Sequence, residues 1–212
     1  MLDTKTVRGF IDELASNSPA PGGGSVAALC GSLGSALGSM VFNLTVGKKA
    51  YLALSDEERA SVDKGLVDAN ELKDRFLQLM NEDTLAFNKL MEAFKMPKET
   101  DEDKAIRSEK IQIAYKGATE IPLEVARRSY DIYEIIEIAV DHGNKNAISD
   151  AGVAALLTQA AIEGAIMNVK INLGSIKDEE FTSAIREEIK VISEDGLKKQ
   201  QEILSVVNSC LE

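Results

Sequence analysis

The sequence predicts an all-α fold, one helical bundle over residues 1–212 with no sheet, and three observations predict it. Every long segment places its apolar residues three and four apart, the period of one helix face. No run alternates with period two and no Asn-Gly hairpin signal occurs. Helix-start and helix-stop residues fall between the periodic segments, as in the Ser55-x-x-Glu58 capping pattern and the glycine of "HGN" at 142–144.

The elements follow in order. Val7, Phe10, Ile11 and Leu14 form a short amphipathic helix. "PAPGGGS" then leads into a run that carries no charge from Val26 to Val46, predicting a helix over 25–47. That run is long enough to span a membrane. However, it contains Ser32, Ser35, Ser39, Asn43 and Thr45, and no other segment stands out as a partner for it in a bilayer. Ala27, Gly31, Gly34 and Gly38 line one side and allow very close helix contact, so the segment is expected at the bundle's centre. Ser55 opens a helix of about forty residues that ends before Pro97. Thr100 and Asp103 give a weaker start for the next, in which Pro122 should kink or restart the chain. That helix stops at Gly143, expected in the left-handed conformation. A small-residue helix over 149–170, capped by Ser149, and a charged helix over 178–208 complete the fold.

Composition excludes several functions. A net charge of −11 argues against a nucleic-acid surface. No basic-then-apolar leader opens the chain, so a cytoplasmic protein with Cys30 and Cys210 reduced is expected. One histidine and no cysteine cluster predict no metal site.

Asp83 is the most telling candidate. The heptad steps 69, 76, 83 and 90 put it on the apolar stripe that includes Phe76 and Leu90. A carboxyl there is either desolvated, with a raised pKa suited to proton transfer, or bonded to a neighbouring helix. The loop Pro21, Gly22, Gly23, Gly24 and Ser25 permits close backbone approach at a helix N-terminus. It reads equally as a ligand cradle and as a structural lead-in, and it lacks the Gly-Lys-Ser ending of a phosphate loop. Lys48 and Lys49 fall at the other end of the same helix, where they either hold a carboxylate or cap the helix. Asn144, Asn146 and Asp150 come close in sequence, and His142 reads as a C-terminal helix charge.

Taken together, "PAPGGGSVAA", "GSM", "GKKAY", Asp83 to Phe87, "GN" with Asp150 six residues on, and "NVKINL" resemble the formiminotetrahydrofolate cyclodeaminase family, in order and over essentially the whole chain. The resemblance implies a homodimer with a folate site near its interface and no metal or other cofactor. It also implies a catalytic role for Asp83 and a substrate-binding site that includes the glycine loop, Lys48, Lys49, Asn144, Asp150 and Asn172. Lys145 is a further candidate for the folate's glutamate tail, polyglutamylated or not. His142 stands where animal members carry cysteine, so it is assigned no essential chemistry. The implied reaction is conversion of 5-formiminotetrahydrofolate to the 5,10-methenyl form with release of ammonia, a step in histidine degradation. The alternatives are methenyltetrahydrofolate cyclohydrolase and a folate- or partner-binding helical dimer without catalysis. Neither a nucleic acid nor a membrane is an expected partner.

Overall fold

A computed structural model describes residues 1–212, and it contains helices and no strand. In chain order they are α1 (Val7–Leu14), α2 (Gly23–Asn43), α3 (Lys49–Leu52), α4 (Asp56–Phe94), α5 (Asp101–His142), a 3₁₀ turn (Lys145–Ala147), α6 (Ile148–Leu173) and α7 (Glu179–Leu211).

Start signals explain the two longest elements. Ser55 Oγ accepts from Glu58 N–H while the Glu58 carboxylate accepts from Ser55 N–H, and Thr100 and Asp103 repeat the reciprocal pair at the head of α5. The second box is therefore as complete as the first.

α2 is the central helix. It runs antiparallel to α4 on one side and to α6 on the other, above α5. Small residues set its distances. A Cβ at Gly31 would lie 2.7 Å from the Phe76 ring of α4, and a Cβ at Gly65 of α4 would lie 2.7 Å from the Phe42 ring of α2. Each helix thus receives a phenylalanine of the other over a glycine, and both rings are fully buried. On the far side, Gly164 of α6 meets Ala27 and Gly34 meets Thr158. The stripe read on α4 is largely inward: Val62, Ala69, Phe76, Met80 and Leu90 are buried. α6 is longer than α2 and, though less apolar, also has the length and composition of a membrane span. More than half of each helix's apolar window is nonetheless buried.

Four expectations need correction. α2 starts at Gly23 and ends at Asn43, because residues 44–47 turn through Gly47 at φ 73°; Lys48 and Lys49 therefore begin α3 and do not close α2. Pro122 does not restart α5, which runs unbroken through it. Its missing N–H would leave the Ala118 carbonyl unpaired, and Asn172 Nδ2 of α6 donates to that carbonyl at 2.9 Å. Gly143 is extended (φ −77°), not left-handed. Glycine is needed there because a Cβ would sit 2.1 Å from the Ala139 carbonyl oxygen. Ser149 lies inside α6; the cap before it is Asn144, whose side chain accepts from Asn146 N–H.

Candidate active site

α4 and α5 extend beyond the N-terminus of α2, and α6 runs alongside. The space left past the first turn of α2 is a cleft of about 410 Å³. Gly22, Gly23 and Gly24 form one edge, Asp83 and Phe87 of α4 the floor, Tyr115 of α5 the back, and Asn168, Ile171 and Asn172 of α6 the opposite wall. Phe94 packs edge-on to Tyr115, with ring centroids 6.0 Å apart, and closes the far end of the aromatic wall.

Asp83 is half-buried, and its Oδ2 accepts from the buried Ser25 hydroxyl at 2.8 Å. The Ser25 backbone N–H also points at the carboxylate. α2 has no side-chain cap of its own, so Asp83 serves its N-terminus from the neighbouring helix. Gly24 makes this possible, since a Cβ there would lie 2.2 Å from Asp83 Oδ1. The anion at this helix N-terminus is thus the protein's own carboxylate. Burial pushes the Asp83 pKa above the usual carboxylate range, and the Ser25 hydrogen bonds pull it part of the way back. Removing the hydroxyl in Ser25→Ala should move the Asp83-dependent limb of a pH–rate profile to higher pH. An unmoved limb would show that Ser25 does not set the carboxyl's protonation.

Two cleft residues escaped the sequence reading. Asn168, whose Nδ2 donates to the Gly164 carbonyl at 2.8 Å, lines the cleft beside Gly23, and Tyr115 lines its back. Asn168 and Asn172 share one face of α6, four residues apart within "NVKINL". Pro21 is buried behind the loop.

The remaining candidates lie elsewhere. Lys48, His142, Asn144 and Lys145 line a second cleft of about 400 Å³ at the opposite end of α2, roughly 30 Å away at 1.5 Å per residue. Lys145 Nζ donates to the Val140 carbonyl at 2.7 Å, closing the end of α5. Asn144 donates to the Leu44 carbonyl, and His142 lies 3.9 Å from Glu58. Lys49 is exposed on α3, and Asp150 sits in the first turn of α6, far from Asn168. No lysine, arginine or histidine lines the Asp83 cleft, and no three His, Cys, Asp or Glu side chains cluster to hold a metal ion.

The chain is all-helical, and its cleft sets one carboxyl, that of Asp83, among aromatic walls. The formiminotransferase-cyclodeaminase family model matches residues 6–191. A methenyltetrahydrofolate cyclohydrolase of Methylorubrum extorquens is 38% identical over 209 residues, covering 99% of each chain. The formimidoyltransferase-cyclodeaminase of Gallus gallus is 32% identical over 207 residues; there the match covers 97% of this chain but only 37% of that longer protein. Among solved structures, the formiminotetrahydrofolate cyclodeaminase of Thermotoga maritima superposes with a TM-score of 0.80 at 28% identity, over 100% of this chain and 98% of that one. The chain belongs to the formiminotransferase-cyclodeaminase family, whose named relatives are folate one-carbon enzymes.

Proposed function

We propose that this chain is a formiminotetrahydrofolate cyclodeaminase, with Asp83 as its acid–base group. The observation that carries the reading is the single carboxyl of the cleft, raised in pKa by burial and held by Ser25. In the reaction, N10 of the folate attacks the carbon of the N-protonated formimino group on N5. A carbon–nitrogen bond forms, and the N10 proton passes to the Asp83 carboxylate. Asp83 returns that proton to the former formimino nitrogen, the carbon–nitrogen bond breaks, and ammonia leaves with the 5,10-methenyl cation behind it. Both reacting groups belong to one molecule, so most of the rate comes from orientation by the Phe87 and Tyr115 walls. The carboxylate also favours the cationic species electrostatically.

A second reading is supported by the 38% identity to a methenyltetrahydrofolate cyclohydrolase along the whole chain. In that case Asp83 takes a proton from water as the water adds to the methenyl carbon and returns it to N5 as the carbon–N5 bond breaks, while the hydroxyl proton is lost to solvent and the formyl group remains on N10. The test is the absorbance of the methenyl bridge. Purified protein given 5-formiminotetrahydrofolate should generate it; a protein that only consumes it from the methenyl compound is the cyclohydrolase. Activity with neither would leave a folate- or partner-binding dimer.

Gly23 tests the loop. It is exposed at the cleft edge, and a Cβ there meets only the Asn168 carboxamide, at 3.4 Å. Gly23→Val should raise the folate Kd by about tenfold or more with little change in Tm, because its methyls occupy ligand space. A large fall in Tm with normal binding would make the loop purely structural. The working unit is proposed to be a homodimer.

A further inference from the structure

α4 and α6 flank α2 on opposite sides, so the first turn of α2 lies between two walls of the Asp83 cleft. Each wall approaches a glycine of that turn. A Cβ at Gly24 would meet the Asp83 carboxyl of α4, and a Cβ at Gly23 would meet the Asn168 carboxamide of α6 at 3.4 Å. Asn172 follows one turn later on the same face of α6 and lines the same cleft.

Backbone carbonyls fix both carboxamides. Asn168 Nδ2 donates to the Gly164 carbonyl at 2.8 Å, and Asn172 Nδ2 donates at 2.9 Å to the Ala118 carbonyl that Pro122 leaves free. A carbonyl oxygen only accepts, so the group it holds in each side chain is the NH2. What remains is the pair of Oδ1 atoms. Neither accepts a hydrogen bond within the chain, and neither is sealed from solvent. The α6 wall therefore offers a ligand two fixed acceptors and no fixed side-chain donor. The Tyr115 and Ser175 hydroxyls elsewhere in the cleft can turn to give or to take, so they do not discriminate. At i and i+4 of one helix, the two asparagines stand about 5–6 Å apart at Cβ. Two acceptors so placed suit a ring edge that carries two separated N–H donors.

We propose that Asn168 and Asn172 determine specificity by accepting from two N–H donors on one edge of the substrate's pteridine, the 2-amino group and N8–H. The proposal rests on the folate reading above for its ligand. Placing N5 and N10 at Asp83 turns the opposite edge of the ring system toward α6. That edge carries the 2-amino group and N8–H on either side of N1, a separation that matches the spacing of the two carboxamides. Neither asparagine touches the reacting atoms. Asn168 reads the ring alone, whereas Asn172 also ties α6 to α5 through the Ala118 carbonyl.

Substrate analogues separate this role from a structural one. Wild-type protein is assayed on whichever of the two folates it turns over and on two analogues of that folate. One is the 2-desamino-2-methyl form; the other is the 8-deaza form, in which CH2 replaces N8–H. Each should lose about tenfold or more in kcat/KM, because each leaves one carboxamide oxygen without its donor. Asn168→Ala should raise KM about tenfold on the natural folate and hold kcat within about threefold. Its Tm should change little, since the Gly164 carbonyl keeps its bond within α6. That KM penalty should vanish for the analogue that lacks the donor Asn168 takes and persist for the other. Analogues that wild-type protein turns over as well as the natural folate overturn the proposal and leave the folate reading intact. So does an Asn168→Ala penalty carried in full by both analogues. Wild-type protein inactive on both folates overturns the reading and the proposal together.

Discussion

Replacing Asp83 with Asn should lower turnover by roughly 10²–10⁴-fold, the usual contribution of general acid–base catalysis. The variant keeps size and polarity, and its carboxamide oxygen still accepts from the Ser25 hydroxyl that now donates at 2.8 Å; what it loses is the titrating proton. Stability should hold or rise at neutral pH. The folded-state pKa of Asp83 is raised by burial, so the folded protein binds this proton more tightly than the unfolded chain does. That contribution is full below the unfolded value and is lost as pH rises through the folded one. The Tm advantage of Asp83→Asn over wild type should therefore grow from acidic to neutral pH. Near-wild-type turnover would reduce Asp83 to a cap for α2.

Gly24→Ala should be nearly as damaging to activity, by a different route. Its methyl group would stand 2.2 Å from Asp83 Oδ1, well inside contact distance, so the carboxyl has to swing away by roughly 1 Å. A displacement of that size can cost about 10²-fold in rate, and overpacking costs about 1–3 kcal/mol of stability. Gly23→Ala is the control, because its methyl meets nothing closer than 3.4 Å. Thermal melts and kcat for the two variants separate the effects, and a Gly24→Ala protein with full turnover would show that the position of Asp83 is uncritical.

The helices were legible because they are written in local terms. Periodicity and the Ser55 and Thr100 boxes located α4 and α5, and the glycine spacing of α2 anticipated its close contacts. Tertiary partners decided the places where the reading failed. Pro122 stays within a continuous helix because Asn172, fifty residues on, supplies the missing donor. Gly143 is glycine for want of space against Ala139 and Val41, a reason that no local turn signal carries. The site was half legible. Asp83 stood out as a carboxylate on an apolar stripe, but its bond to Ser25 joins residues 58 apart in sequence, and the part played by Gly24 becomes visible only with that bond in place. Lys48 and Asn144 were grouped with the glycine loop by the resemblance alone, and α2 separates them from it by its full length.

The most direct measurement is the titration of the Asp83 side-chain carboxyl by ¹³C NMR, with and without a saturating methenyl-folate analogue that is not turned over. The account predicts a free-protein pKa above the ordinary carboxylate range that falls when the cationic ligand binds beside it, since a nearby positive charge favours the ionised form. An Asp83 that titrates in the ordinary range and does not respond to the ligand would contradict the account.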